Sequence, residues 1–434
     1  MSSHSARGRS MSVTEAPAKP PASTRAVLDF AWDAGKFRAD DAIAATGLTR
    51  STVLAALDSL IDIGLVEELP SGRQAPGARV GMALSTGAHG GSRLGRPARR
   101  FQLRAEAGVV IGVDAGWAHL TTIAADLSGH QLAREEVDVT EADRESPDRR
   151  RDLILTAVDG VLAAAGRAVD EVVSVGLGVP APVNGEGVSP PHPLHFWEHM
   201  NPGLQATLDE LFPAARVEND AALATIAEGA AGAARGYQHF VAVLVGRRLG
   251  AAVFLEGQIV RGAHGAVGEL GGLSLVSGIG NTTGLGTRAE EWAATALAEG
   301  RIPTDHPWAE LGADEFTAEN LLASARLDDP VTGPLLTELG LTLGRICSVL
   351  AHFYDPEAIV LCGAVTGALT EVLRIARWYA AEDAQVPAPA ILVSQLGGDV
   401  VAIGGLSAAR DAARHIVVPT LLARQHQQVR ASGE

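Results

Sequence analysis

From residue 107 onward the chain repeats one pattern: a short β-branched run ending near glycine, then a helical stretch. The runs fall at residues 109–113, 172–177, 240–245, 251–255, 358–361 and 390–393. Helical spacing marks residues 151–165, 221–234 and 335–353 between them. Runs of this kind alternating with helices predict an α/β fold, and two βα-rich halves fit the available length.

The first hundred residues read differently. Residues 1–22 are rich in Ser, Ala and Pro without apolar periodicity, which predicts a disordered leader. Val27, Leu28 and Ala31 are spaced for a helix, a second short helix fits residues 39–45, and Gly47 breaks it. Thr49 is then a suitable N-cap for a third helix carrying Val53, Leu57, Leu60 and Ile61 on one face. A strand begins at Leu65-Val66. Residues 70–100, rich in Gly, Ser, Ala and Arg, read as an enlarged, mobile wing.

Charge separates the same two regions. The 434 residues carry a formal net charge of -16, which taken whole argues against a nucleic-acid partner. Residues 1–104, however, hold 14 Lys+Arg against 9 Asp+Glu, while the remainder holds 21 against 42. The basic segment can meet DNA and the acidic body must face away from it. Only Cys347 and Cys362 are present, which excludes a disulfide framework and any four-cysteine metal site. No uninterrupted apolar run approaches the ~18 residues of a bilayer span. The N-terminus shows no apolar signal segment, so the chain reads as cytoplasmic.

Residues 37–53 are helix, tight glycine turn, helix. A helix-turn-helix lays its second helix in the major groove, N-terminal residues foremost. Thr49, Arg50, Ser51 and Thr52 occupy that end. Arg50 can donate two hydrogen bonds to a guanine, and the hydroxyls can grip phosphate. Downstream, Arg93, Arg96, Arg99 and Arg100 surround Gly95-Arg96-Pro97, an extended string able to place a guanidinium in a narrow minor groove.

Five strings carry the rest: Asp114-Ala115-Gly116, Gly178-Val179-Pro180-Ala181-Pro182, Glu218-Asn219-Asp220-Ala221, Gly262-Ala263-His264-Gly265-Ala266-Val267-Gly268-Glu269 and Asp355-Pro356-Glu357 leading to Gly363. In order and spacing the chain resembles the ROK family (repressors, open reading frames and kinases), including the winged helix of its repressor members. The resemblance implies an actin-like ATPase fold of two α/β lobes over residues 105–416. It sets a winged helix-turn-helix domain at 23–104 and a C-terminal tail from 417 to 434, fraying from about Pro419. In family kinases an aspartate takes a proton from a sugar hydroxyl, a role that falls on Asp220. Asn219 and Glu269 would hold hydroxyls, and Glu291, with Glu290 as the alternative, falls where the family has another sugar-binding glutamate.

The departures from the family pattern matter as much. Kinase members open Asp-x-Gly-Gly-Thr, where this chain has Trp117 and Ala118 in the last two places. The second phosphate loop reads Gly246-Arg247-Arg248-Leu249-Gly250. Bulky side chains obstruct the close backbone approach that a phosphate needs. The histidine that follows Gly-Glu in zinc-binding members is Gly272 here, and residues 277–284 contain no cysteine. The expectation is a sugar-responsive regulator without cofactor or metal and without kinase activity. It would bind operator DNA and a sugar or sugar phosphate as a homodimer or higher homo-oligomer. An active sugar kinase and an effector-independent DNA-binding protein are the alternatives.

Overall fold

Residues 20–70, 99–312, 314–383 and 386–432 are described by the computed structural model of the chain. They divide into two compact units, Met1–Ala107 with Arg414–Glu434, and Gly108–Ala413.

In the first unit, helices α1 (Ala22–Ala31), α2 (Ala39–Thr46) and α3 (Arg50–Asp62) alternate with strands β1 (Lys36–Arg38), β2 (Val66–Leu69) and β3 (Arg100–Leu103). Val27, Leu28, Val53, Leu57 and Leu60 are fully buried, which is the helical spacing read from the sequence. The sheet runs in the order β1-β3-β2, and Phe37 on β1 pairs with buried Phe101 on β3. Three helices and this small antiparallel sheet make a winged helix. The wing tip, with Arg93, Gly95, Arg96 and Pro97, lies outside the described residues.

The second unit holds two five-stranded sheets built on one plan. The first uses β4 (Val109–Ala115), β5 (His119–Asp126), β6 (Gln131–Asp138), β7 (Val172–Val179) and β8 (Ala215–Asn219), in the order β6-β5-β4-β7-β8. Helices α4 (Glu141–Glu145), α5 (Pro147–Ala164), α6 (Phe196–Met200) and α7 (Leu204–Leu211) connect them, and α8 (Asp220–Ala231) leads out. The second sheet uses β9 (Phe240–Val245), β10 (Leu249–Leu255), β11 (Gln258–Val260), β12 (Ala358–Cys362) and β13 (Ala390–Val393), in the order β11-β10-β9-β12-β13. Helices α9 (Leu285–Ala298), α10 (Ala318–Ser324), α11 (Gly333–Tyr354) and α12 (Thr370–Glu382) accompany it. In both sheets the first three strands pair antiparallel and the last two add in parallel. This repeat is the two-lobed actin-like arrangement. Central strands β4, β7 and β12 are buried along their whole length. That burial explains why they read as continuous apolar runs. Helix α11 is long and apolar enough to cross a membrane, but about two-thirds of its apolar window is buried among core residues such as Leu339, Leu343 and Ile346.

Helix α13 (Val400–Ser432) corrects the expected fraying tail: it continues through Pro419 and ends in the first unit. Val417, Val418 and Leu421 are buried, and Arg414 binds Asp29 at 3.0 Å and Asp33 at 3.2 Å. Proline removes the helical donor to the carbonyl four residues back, which here is that of His415. Arg25 Nη1 supplies the missing donor to that carbonyl at 3.3 Å. The polar composition of residues 419–432 hid this narrow apolar stripe.

Candidate functional site

At the start of α3, the Thr49 hydroxyl accepts from the Thr52 amide at 3.3 Å and meets the hydroxyls of Thr52 and Ser51 at 2.8 and 3.1 Å. Thr49 is therefore first a helix cap, and its hydroxyl reaches a phosphate only as part of that network. Substitution by alanine is expected to cost about 1 kcal/mol, read as a lower melting temperature of the first unit. Arg50 is exposed and held by Asp40 of α2 at 2.7 Å. An exposed pair of this kind is worth roughly 0–1 kcal/mol, so a nucleic acid can displace it. Arg99 is committed elsewhere, to Glu68 and Asp58 at 2.8 and 3.2 Å, with its guanidinium 5.1 Å from the Phe101 ring.

In the second unit, close backbone contacts bring the sequence strings together. The Asn219 side chain donates to the Ala181 carbonyl at 3.1 Å, joining the Glu-Asn-Asp string to the Gly-Val-Pro-x-Pro string. A β-carbon on Gly265 would stand 2.0 Å from the Val183 carbonyl, and one on Gly268 would stand 2.1 Å from that of Ala251. Only glycine permits this approach, which sets Glu269 at the site. Buried Glu218 completes the frame, holding Arg261 at 2.6 Å and Arg216 at 3.1 Å. Glu218, Arg216 and Arg261 line a cavity of about 510 Å³ with Asn184 and Gln205, a lining that does not include Asp114, Asp220 or Glu269. A hollow of about 960 Å³ between residues 278–280 and α11 contains none of the site carboxylates.

Asp220 begins α8, and its carboxylate accepts the Ala221 amide at 2.7 Å. Burial pushes its pKa up to about 7, and the negative charges of Asp114 and Glu269 push the same way. Three carboxylates thus share one electrostatic neighbourhood. Burial likewise raises Glu269, against the opposing charge of Arg248, although the residue retains an exposed surface. Asp114 closes β4 and faces His119 Nε2 at 3.7 Å. That interaction, ahead of the opposing effect of burial, raises the imidazole toward the charged form. An ionised carboxylate offers acceptor positions only, so groups of this kind suit hydroxyl donors.

The other expected sugar ligands sit differently. Asn219 spends its oxygen capping α8, accepting the Ala222 amide at 3.0 Å, in addition to its bond to Ala181. Glu290 caps α10 through the Ala318 amide at 2.9 Å. Glu291 is exposed on α9 and exerts its charge on Arg288.

Sequence reasoning passed over Arg150, which is fully buried. It donates to the carbonyls of Ala115, of Gly116 at 3.3 Å and of Met200 at 3.1 Å, fixing the turn beside Asp114. Burial draws its own pKa down to about 10, with the Asp114 charge opposing. Position 150 lies in an Arg-rich helix start, so the string itself gave no sign of which arginine turns inward.

The turns after β4 and β9 each carry further protein contacts. Trp117 lies beneath the Arg144 guanidinium at 5.0 Å and beside Phe196 at 5.4 Å. At the β9–β10 turn the Leu249 amide donates to the Thr282 carbonyl, and the Gly284 amide to the Arg247 carbonyl, each at 2.8 Å. A β-carbon on Gly284 would stand 1.8 Å from the Gly246 carbonyl, so residues 282–284 lie directly on the turn. Among the described residues no group of three or more His, Cys, Asp or Glu side chains has the arrangement of a metal site.

The chain is 24% identical over 330 residues to the DNA-binding transcriptional dual regulator NagC of Escherichia coli K12, covering 74% of this chain and 75% of that protein. It is 24% identical over 309 residues to a glucokinase of Halalkalibacterium halodurans, covering 68% of this chain and 93% of the enzyme. A solved ROK family transcriptional regulator, a homolog of the E. coli MLC protein, superposes with a TM-score of 0.67 at 20% identity. That match covers 92% of this chain and 98% of the other. The ROK family model matches residues 110–412, and the chain belongs to the ROK family.

Proposed function

We propose that this chain is a sugar-responsive, DNA-binding transcriptional repressor of carbohydrate uptake or metabolism genes. Its kinase-like unit is the effector sensor. The observation that carries the reading is the joint presence of a helix-turn-helix and a cluster of hydroxyl-accepting carboxylates, Asp114, Asp220 and Glu269. Asn219 and Glu291 would complete the sugar's contacts, and Thr49, Arg50, Ser51 and Thr52 would meet DNA together with Arg93, Gly95, Arg96 and Pro97. A sugar bound by carboxylates from both sheets favours one angle between the lobes. In a dimer that angle selects which half-site spacing fits.

A second reading, an active sugar kinase, draws support from Asp220, since a carboxylate near 7 suits a general base, and from glucokinase membership in the same family. The phosphate side of such a site argues against it. The Leu249 amide is already bonded and Gly284 lies on the turn. One screen distinguishes the readings. Monosaccharides, amino sugars and their phosphates are tested for raising the melting temperature of the full chain, and hits for releasing duplexes selected from a random pool. Calorimetry is expected to detect no ATP binding at millimolar nucleotide. Sugar-dependent ATP hydrolysis would restore the kinase reading, and a screen with no hit would leave an effector-independent DNA-binding protein.

A further inference from the structure

Strands β1 and β3 pair antiparallel with Arg38 directly opposite Arg100. Residues opposite one another on adjacent strands point to the same side, and like charges so placed are destabilising. Both arginines are exposed, and among the described residues neither forms an ion pair. The contrast lies one residue away: Arg99 is neutralised by Glu68 and Asp58. The unpaired cations also have a definite position in the fold. Arg38 is the N-cap residue of α2, its amide donating to Asp41 at 2.7 Å. Two residues on, Asp40 holds Arg50 at the start of α3. The arginine pair therefore continues the surface that begins at the N-terminal end of the recognition helix. Further along the same strands exposed Lys36 lies opposite Gln102, which binds Glu67, so that position sets one cation beside an amide and a carboxylate, not beside a second arginine.

We infer that Arg38 and Arg100 form a phosphate clamp: the sugar–phosphate backbone of duplex DNA bridges the two guanidiniums while α3 enters the major groove. The clamp rests on the DNA-binding reading above. A bridging anion converts a repulsive pair into two charge-assisted hydrogen-bonded contacts, which accounts for a like-charge pair on a strand face. Such contacts carry no sequence information and act equally on any duplex. The contribution is therefore measurable without knowing the operator.

The test uses the full chain and a fluorescein-labelled 30-base-pair duplex of random sequence, titrated at several salt concentrations from low ionic strength upward. Each neutralised phosphate contributes about 0.9 to the slope of log affinity against log salt, so R38Q/R100Q, which removes the one bridged phosphate, is expected to lower its magnitude by about 0.9. R38K/R100K, which keeps both charges, should retain most of the slope. The glutamine variant removes repulsion, so its melting temperature should equal or exceed that of the parent chain, separating lost contact from lost fold. An unchanged slope in R38Q/R100Q, with DNA binding otherwise intact, overturns the clamp and leaves the regulator reading standing. Absence of any binding by the parent chain at low salt overturns the DNA-binding reading and the clamp with it.

Discussion

Replacing Asp220 by asparagine will lower the affinity for the effector sugar by one to two orders of magnitude and remove its dependence on pH near neutrality. A hydrogen bond to a charged group contributes about 1.5–3 kcal/mol, the range that such a loss spans. The pH effect follows from the carboxylate's position near 7, set by burial and then by Asp114 and Glu269. A sugar hydroxyl donates to the deprotonated form, so below about 7 a proton must leave first. Affinity should then fall by up to tenfold per pH unit. Calorimetric titration of the sugar found in the thermal-shift screen, at pH 6, 7 and 8, reads both effects. Equal affinities for the two proteins at every pH would remove Asp220 from the site.

The same substitution has an opposite effect on stability. Asp220 has a folded value raised above its ordinary 3.8. Its favourable contribution is therefore complete below about 3.8 and lost as pH rises through about 7. At the start of α8 a negative charge gains from the helix N-terminus, but the upward shift shows that burial and the two neighbouring carboxylates outweigh that gain. The ligand-free asparagine variant should melt above the parent at pH 8, with the gap closing toward pH 4. Lower sugar affinity joined to higher stability would mark a site kept for binding at the expense of the fold.

Much of the architecture was legible because the most buried strands have the simplest patterns. Residues of β4, β7 and β12 are largely apolar on both faces, and their short length and β-branched content favour a buried strand over a buried helix. β6 was missed because it alternates exposed and half-buried residues through Arg134, Glu135 and Glu136 at a sheet edge. β1 has only three residues, and its pairing partner lies more than sixty positions away. The limits at the sites have another cause. Side-chain type was readable, but partners were not. Asn219, read as a hydroxyl ligand, also caps α8, and Arg50, read as a guanine donor, also holds Asp40. Arg99 and Arg100 were equal members of one basic run, yet the first is neutralised and the second is not. Residue type defines what a group is able to bind, and only tertiary placement decides what has already bound it.

Arg150 carries that distinction furthest, and Arg150→Met should destabilise the second unit by about 3 kcal/mol, even though it removes a buried charge. Exchanging buried ionic groups for apolar ones of similar volume is often neutral, because the desolvation cost disappears along with the interaction. That outcome requires the partners to be replaced too. The partners of Arg150 are backbone carbonyls of Ala115, Gly116 and Met200, which no side-chain substitution removes. Methionine fills the volume but leaves these acceptors without their arginine donor, at about 1–3 kcal/mol each, which exceeds the relief from desolvating one cation. The melting temperature should fall by roughly 5 °C. Loosening the β4–β5 turn also frees Asp114, so sugar affinity should drop even though Arg150 touches no ligand. Arg150→Lys keeps the charge that offsets Asp114 but not the planar donor fork, and should recover sugar affinity better than stability. A methionine variant that melts with the parent chain would show that these carbonyls find other donors.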